Sequence, residues 1–249
     1  MSIKILLTND DGVHAKGIRI LAQYMKEIGE VYIAAPNVEV SGCGRSITIA
    51  EPIRIKKLEE NIYAVKGTPS DCINAGIQHI CNGQPDLAIS GINLGQNVGQ
   101  DIFYSGTIAG AWEAIYREVP AFAISLATFS DPIYESAAKF AQVFAKKLLS
   151  NELPNNILYN INIPNLPYDQ IKGVEITKLG SKIYKENLEK RIDPIGRDYY
   201  WFTGVADTKG HGMGSDCYAL QENKISITPI KTEVTDLDAI KDLQERKIF

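Results

Sequence analysis

Apolar and polar positions come in alternating blocks along the first part of the chain. Residues 3–8 are an apolar run closed by the polar stretch TNDDG, which predicts a strand buried on both faces. Between residues 16 and 28, Ile18, Leu21, Ala22, Met25 and Ile28 recur at helical spacing. Gly29 ends that helix and EVYIAAP predicts a second strand. GTPSDCINAGIQHIC predicts a helix with Thr68 as N-cap, Pro69 at its first position and Asp71 three residues after the cap. PDLAISG reads as a strand, SGTIAGAWEAIYREV as a helix, PAFAISL as a strand and residues 134–149 as a helix. Such alternation predicts an α/β fold, a mostly parallel sheet with helices on both faces.

The pattern changes after about residue 155. ILYNINIP predicts a strand with polar alternation, and residues 173–204 are rich in Lys, Arg, Tyr and Gly. DYYWFTG predicts an exposed aromatic strand, with KGVEITKLG as its partner in an extended hairpin. KISITPI predicts a strand, and residues 236–245 a last helix after a cap at Thr235. There are no internal repeats.

Composition narrows the possibilities. A chain of 249 residues is one large domain or one domain with an elaborated lobe. A net charge of −4 provides no basic field for a nucleic-acid polymer. Cys43, Cys72, Cys81 and Cys217 lack CxxC spacing, which weighs against zinc and thioredoxin-like sites. No window approaches 18 uncharged apolar residues, and the N-terminal sequence does not resemble a signal peptide, so a cytoplasmic protein that does not span a membrane is expected.

Candidate chemistry lies in four glycine-containing loops that follow predicted strands, where open α/β sheets bind ligands. In TNDDG, Asp10 and Asp11 are adjacent. At about 4 Å and an effective dielectric near 20, two such charges repel by roughly 4 kcal/mol. They either cap the next helix or hold a divalent cation such as Mg²⁺ or Mn²⁺, with Gly12 allowing the sharp turn. VSGCGRS is either a flexible turn or a source of a neutral ligand from Ser41, with N–H groups near Gly42 facing an anion. GINLGQNVG is neither GxGxxG nor Walker A. Its Asn93 and Asn97 either stabilise the loop or offer an oxygen to a metal and an NH₂ to a phosphate. In YSGTIAGA, Ser105 is an N-cap, or Ser105, Gly106 and Thr107 form an anion site at a helix start. The inventory is rich in hard oxygen ligands and poor in bases, which fits metal-assisted phosphate chemistry. His14 is a general-acid candidate or a surface residue, His79 is structural, and His211 has no assigned role. Lys182, Lys185, Lys190, Arg191 and Arg197 read as a solvated face, and Tyr199, Tyr200 and Trp201 as packing or a subunit contact.

TNDDGVHAKGI, the Ser41 loop, GTPSDC, SGINLGQNVG, YSGTIAGA, DPIGRDYYWFTG and SDCYAL followed by SITPI together resemble, in order and over almost the whole chain, the SurE family of survival-protein nucleotidases. The resemblance implies a Rossmann-like three-layer catalytic core over residues 1–155. It implies completing strands, the hairpin and the C-terminal helix over 156–249, used in a homodimer or tetramer that exchanges the hairpin or C-terminal segment. It implies a cytoplasmic, metal-dependent 5′-nucleotidase acting on nucleoside monophosphates, and often on other phosphate esters or short polyphosphate. One Mg²⁺ or Mn²⁺ per subunit would be held by Asp10, Asp11, Ser41 and Asn93, with phosphate contacts near Asn9, Gly42, Asn97, Ser105, Gly106 and Thr107. Asp10 and Asp11 would be catalytic, through a metal-activated water or by direct attack. The alternatives are a nucleotide-sensing module without turnover and a nucleotide-sugar transferase, whose usual D-x-D is absent. The D-x-D-x-T/V of haloacid-dehalogenase phosphatases is absent as well.

Overall fold

The structure, a computed structural model, describes residues 2–181, 183–207 and 212–246. Lys182, His211 and the side chain of Lys185 lie outside the described residues. The chain runs β1 (Lys4–Thr8), α1 (Lys16–Met25), β2 (Glu30–Pro36), β3 (Arg54–Glu59), β4 (Ile62–Lys66), α2 (Pro69–Ala75), β5 (Leu87–Leu94), α3 (Gly106–Tyr116), β6 (Ala121–Ala127), α4 (Tyr134–Leu149), β7 (Leu158–Pro164), β8 (Val174–Ile176), β9 (Ile183–Ile192), β10 (Asp198–Asp207), α5 (Asp216–Gln221), β11 (Ile225–Ile230) and α6 (Leu237–Arg246).

Among the described residues, nine strands form one sheet in the order β3-β4-β2-β1-β5-β6-β7-β11-β8. β4, β2, β1, β5, β6 and β7 are parallel neighbours, while β3 and β11 run antiparallel to β4 and β7. The chain builds outward from β1 through β2 and β4, then returns to the other side of β1 as β5. The carboxyl ends of β1 and β5 therefore flank a topological switch point, where open α/β sheets bind ligands. Alternation along each strand divides the core into two layers. Ile5, Leu7, Ile33, Ile89, Phe122 and Ile124 pack with Ile18 and Leu21 of α1 and Phe140 and Phe144 of α4. Leu6, Ala34, Ala88, Ala121 and Ala123 pack with Ile73 of α2 and Ile108 and Ala111 of α3. This is the three-layer α/β architecture expected.

The predicted cap of α2 is present in full. Thr68 Oγ1 accepts from Asp71 N–H at 3.3 Å, and Asp71 Oδ2 accepts from Thr68 N–H at 2.9 Å. Three expectations are corrected. KGVEITKLG does not pair with DYYWFTG: β8 pairs parallel with β11 and covers its open edge, while β10 pairs antiparallel with β9. The DPIGR turn decides this locally, because Asp193 Oδ1 accepts from the N–H groups of Ile195 and Arg197 at 2.9 Å each and folds β10 back on the strand just before it. The cap of α6 is Asp236, whose Oδ1 accepts from Ala239 N–H at 2.8 Å, rather than Thr235. The helix beginning at Lys16 ends at Met25, and turns carry the chain to Gly29. The strands β3 and β4 had no clear sequence signal. β3 is a solvent-facing edge, RIKKLE, without an apolar face.

Candidate active site

The four loops meet in a cavity of about 960 Å³ at the carboxyl rim of the sheet. Asp10, Asp11, Ser41, Gly42, Asn93, Asn97 and Ser105 line it. Asn9, Gly106 and Thr107 are buried beside these residues and do not line it.

The first loop is tied to its neighbours through its backbone. Asn9 Nδ2 donates to Gly12 O at 3.0 Å, closing a turn that Gly12 completes with φ of +97°. Val40 N–H donates to Asp10 O at 2.9 Å, which brings the Ser41 loop alongside. Asp10 is 4 % exposed and its Oδ1 accepts from the Thr107 hydroxyl at 2.5 Å. The start of α3 thus faces a carboxylate supplied by the protein. Gly106 allows the close approach: a Cβ there would meet Asp10 Cβ at 2.7 Å. Ser105 Oγ caps α3 by accepting from Ile108 N–H at 3.1 Å.

Burial raises the Asp10 carboxyl above its ordinary value, and the Thr107 hydroxyl and the N–H groups at the start of α3 oppose that rise. Asp11 is pushed up to about 7, first by burial, then by the charges of Asp10 and Glu39. Burial thus outweighs the repulsion between the adjacent carboxylates in raising Asp11.

The donor set suits a hard divalent cation. Asn93 Nδ2 donates to Gly95 O at 2.7 Å, which fixes the amide and leaves its Oδ1 as the available acceptor. The Ser41 hydroxyl donates to Glu39 Oε1 at 3.0 Å, leaving its oxygen lone pairs. With Asp10 and Asp11, the cavity offers four oxygen donors beside an uncompensated negative charge, a fit that needs neither histidine nor thiolate. Asn97 Nδ2 donates to Ser125 Oγ at 2.9 Å, which orients the amide and leaves its second N–H for a ligand. His14 and His79 are exposed and do not line the cavity.

Sequence reasoning missed several lining residues. Phe129 follows β6 at its carboxyl end, so the strand-end rule could have found it. Glu39 is two residues before Ser41 in the same loop. Phe202 and Thr203 come from β10, and nothing local in the sequence points them at this rim. Tyr199, Tyr200 and Trp201 are exposed in the isolated chain rather than packed. Lys190, Arg191 and Arg197 form solvated ion pairs with Asp198, Glu189 and Asp193.

Comparison with known proteins agrees with this architecture. A family model described as "Survival protein SurE" matches residues 5–186. The chain is 42 % identical to a 5′-nucleotidase SurE of Thermosipho africanus over 98 % of this chain and 97 % of that protein. It is 43 % identical to one from Fervidobacterium nodosum over 97 % and 96 %. The crystal structure of the SurE protein from Aquifex aeolicus is similar with a TM-score of 0.88 at 36 % identity, covering 98 % of this chain and 99 % of that one. A switch-point cavity of paired aspartates and loop amides, a model match over most of the chain and near full-length relatives lead to one conclusion: the chain belongs to the SurE survival-protein family.

Proposed function

We propose that the protein is a divalent-metal-dependent phosphomonoesterase that hydrolyses nucleoside 5′-monophosphates to nucleoside and phosphate, with tolerance for other phosphate esters. The observation that carries this reading is the donor set at the switch point, with Asp10, Asp11, Ser41 and Asn93 directing oxygens to one cavity. The names of the similar proteins support the substrate class. Asp10, Asp11, Ser41 and Asn93 would hold one Mg²⁺ or Mn²⁺, which supplies charge stabilisation to the phosphoryl oxygens when bound. Asn97 donates its second amide N–H to the phosphate, and the Ser105–Thr107 segment keeps Asp10 in place. Water attacks phosphorus, an aspartate of the pair takes its proton, the ester P–O bond breaks, and that proton passes from the aspartate to the leaving 5′-oxygen to release the nucleoside. Direct attack by an aspartate is the second route, and trapping a phosphorylated Asp10 or Asp11 would establish it.

The cavity exceeds what a phosphate needs, and the exposed rings of Tyr104, Phe129 and Phe202 at its wall suit a nucleobase. One observation favours nucleotide sensing without turnover: among the described residues no histidine, lysine or arginine lines the cavity to protonate a leaving group. Phosphate release from p-nitrophenyl phosphate and nucleoside monophosphates, in EDTA, Mg²⁺ or Mn²⁺, separates the two. Metal-dependent release is expected; its absence from folded protein that binds nucleotide selects the sensor. The proposal extends to a homodimer or tetramer that exchanges the hairpin or C-terminal segment, supported by the absence of any buried residue in α6 and by the exposed β10 aromatics. Light scattering tests it. The proposal places the protein in the cytoplasm, in keeping with its cysteine spacing.

A further inference from the structure

β7 is buried at every position, yet its alternate residues Asn160 and Asn162 are 0 % exposed amides. Amides in a core destabilise it unless each finds partners. Theirs are the main chain of Asn97. Asn162 Oδ1 accepts from Asn97 N–H at 2.8 Å, and Asn97 O accepts from Asn162 Nδ2 at 2.9 Å and Asn160 Nδ2 at 2.8 Å. Two residues on, Gly99 N–H donates to Asp216 Oδ2 at 2.8 Å. Asp216 is also 0 % exposed, and its Oδ1 accepts from Gly180 N–H and Cys217 N–H at 2.7 Å each. Side chains from the C-terminal half of the chain thus hold the stretch 97–99, where neighbouring strands would otherwise supply partners. One of them also holds Gly180, three residues before the hairpin begins.

We infer that Asp216, Asn160 and Asn162 are positioning residues, forming a buried clamp that fixes Asn97 relative to the phosphate and ties this loop to the base of the hairpin that brings Phe202 and Thr203 to the cavity. This rests on the phosphomonoesterase reading above. A buried carboxylate accepting three backbone N–H groups is a stiff anchor. A displacement of about 1 Å at a positioning group lowers turnover by up to roughly a hundredfold.

The test uses the full-length protein with Asp216→Asn and Ser125→Ala. Asp216→Asn keeps one carbonyl oxygen for Gly180 and Cys217 and sets an NH₂ against Gly99 N–H. Hydrogen exchange at amides 97–99 should speed up by about tenfold or more. The kcat for AMP and for p-nitrophenyl phosphate should fall together by about tenfold or more, with KM within about threefold and Mn²⁺ affinity within about twofold. Ser125→Ala frees the Asn97 amide and should lower kcat by about threefold or more in the same pattern. Faster exchange with unchanged kcat in the folded Asp216→Asn protein overturns the inference, because the clamp then serves stability alone. Unchanged exchange overturns it as well. If Asp216→Asn does not fold, Asn160→Ala, which takes away one of the two side-chain donors to Asn97 O, decides by the same exchange and kcat criteria. If the wild type releases no phosphate with any cation, the phosphomonoesterase reading fails separately. The clamp is then judged by exchange and by the phosphorus NMR shift of AMP bound with Mg²⁺, which must differ between variant and wild type for the inference to stand.

Discussion

The cavity rim and the C-terminal hairpin handle difficult side chains in opposite ways. At the rim, charged and amide groups are taken out of water and several are given partners: Asp10 by Thr107 and the start of α3, Asn93 by Gly95, Asn97 by Ser125, Asn160 and Asn162. On the hairpin and α6, apolar groups are left in water: Trp201 is 58 % exposed, Phe202 81 % and Leu237 67 %. The first arrangement costs stability and is kept by a scaffold built around it, which points to chemistry. The second costs the single chain nothing in packing and leaves surface for a ligand or another copy. A substitution at the rim should therefore change activity strongly, while one on the hairpin should change recognition or nothing.

Asp11→Asn puts this contrast under the greatest strain. kcat/KM should drop by about a thousandfold or more, read from initial rates with Mn²⁺. At pH 8.5 in EDTA, above the raised value of Asp11, the same variant should melt higher than wild type by about 2–4 °C in a calorimetric scan, because a charge is removed from beside Asp10 and Glu39. An inactive variant that melts lower in EDTA would show that the rim is not held against its own electrostatics.

Thr107→Val comes next. It removes the hydroxyl on Asp10 Oδ1 and keeps the shape of the side chain. Mn²⁺ affinity by titration calorimetry should weaken by about 10- to 100-fold, as for partners that orient metal ligands. Unchanged affinity would remove α3 from the cation site.

Phe202→Ala tests where the two regions meet. KM for a nucleoside monophosphate should rise by about three- to tenfold with kcat unchanged, while glycerol phosphate, which has no ring, is hydrolysed as before. An equal loss on both substrates would assign Phe202 to the phosphate rather than to the base.

Lys190→Ala should do least. Its 2.7 Å pair with Asp198 is half-exposed on both sides, so urea unfolding should move by less than about 0.5 kcal/mol. A larger loss would mean that the hairpin is held by more than its own ladder.

The sequence alone determined what is local. The period of apolar residues defined β1, α1, β2, α4 and the two faces of the sheet, because burial on both faces or on one stripe writes itself into the spacing. Thr68, Pro69 and Asp71 announced α2 because a capping box closes within four residues. The loops carrying Asp10, Ser41, Asn93 and Ser105 were legible because strand ends and glycines mark where an α/β sheet presents ligands. Tertiary structure decided everything that depends on residues far apart in sequence. It set Phe202 from β10 at the cavity, paired β8 with β11, and turned the alternating asparagines of β7 inward to hold Asn97, 65 residues from Asn162. The pattern NIN looks the same whether its amides meet water or a buried peptide group. Only the packed sheet, which removes the water and supplies the other half of each hydrogen bond, tells the two apart.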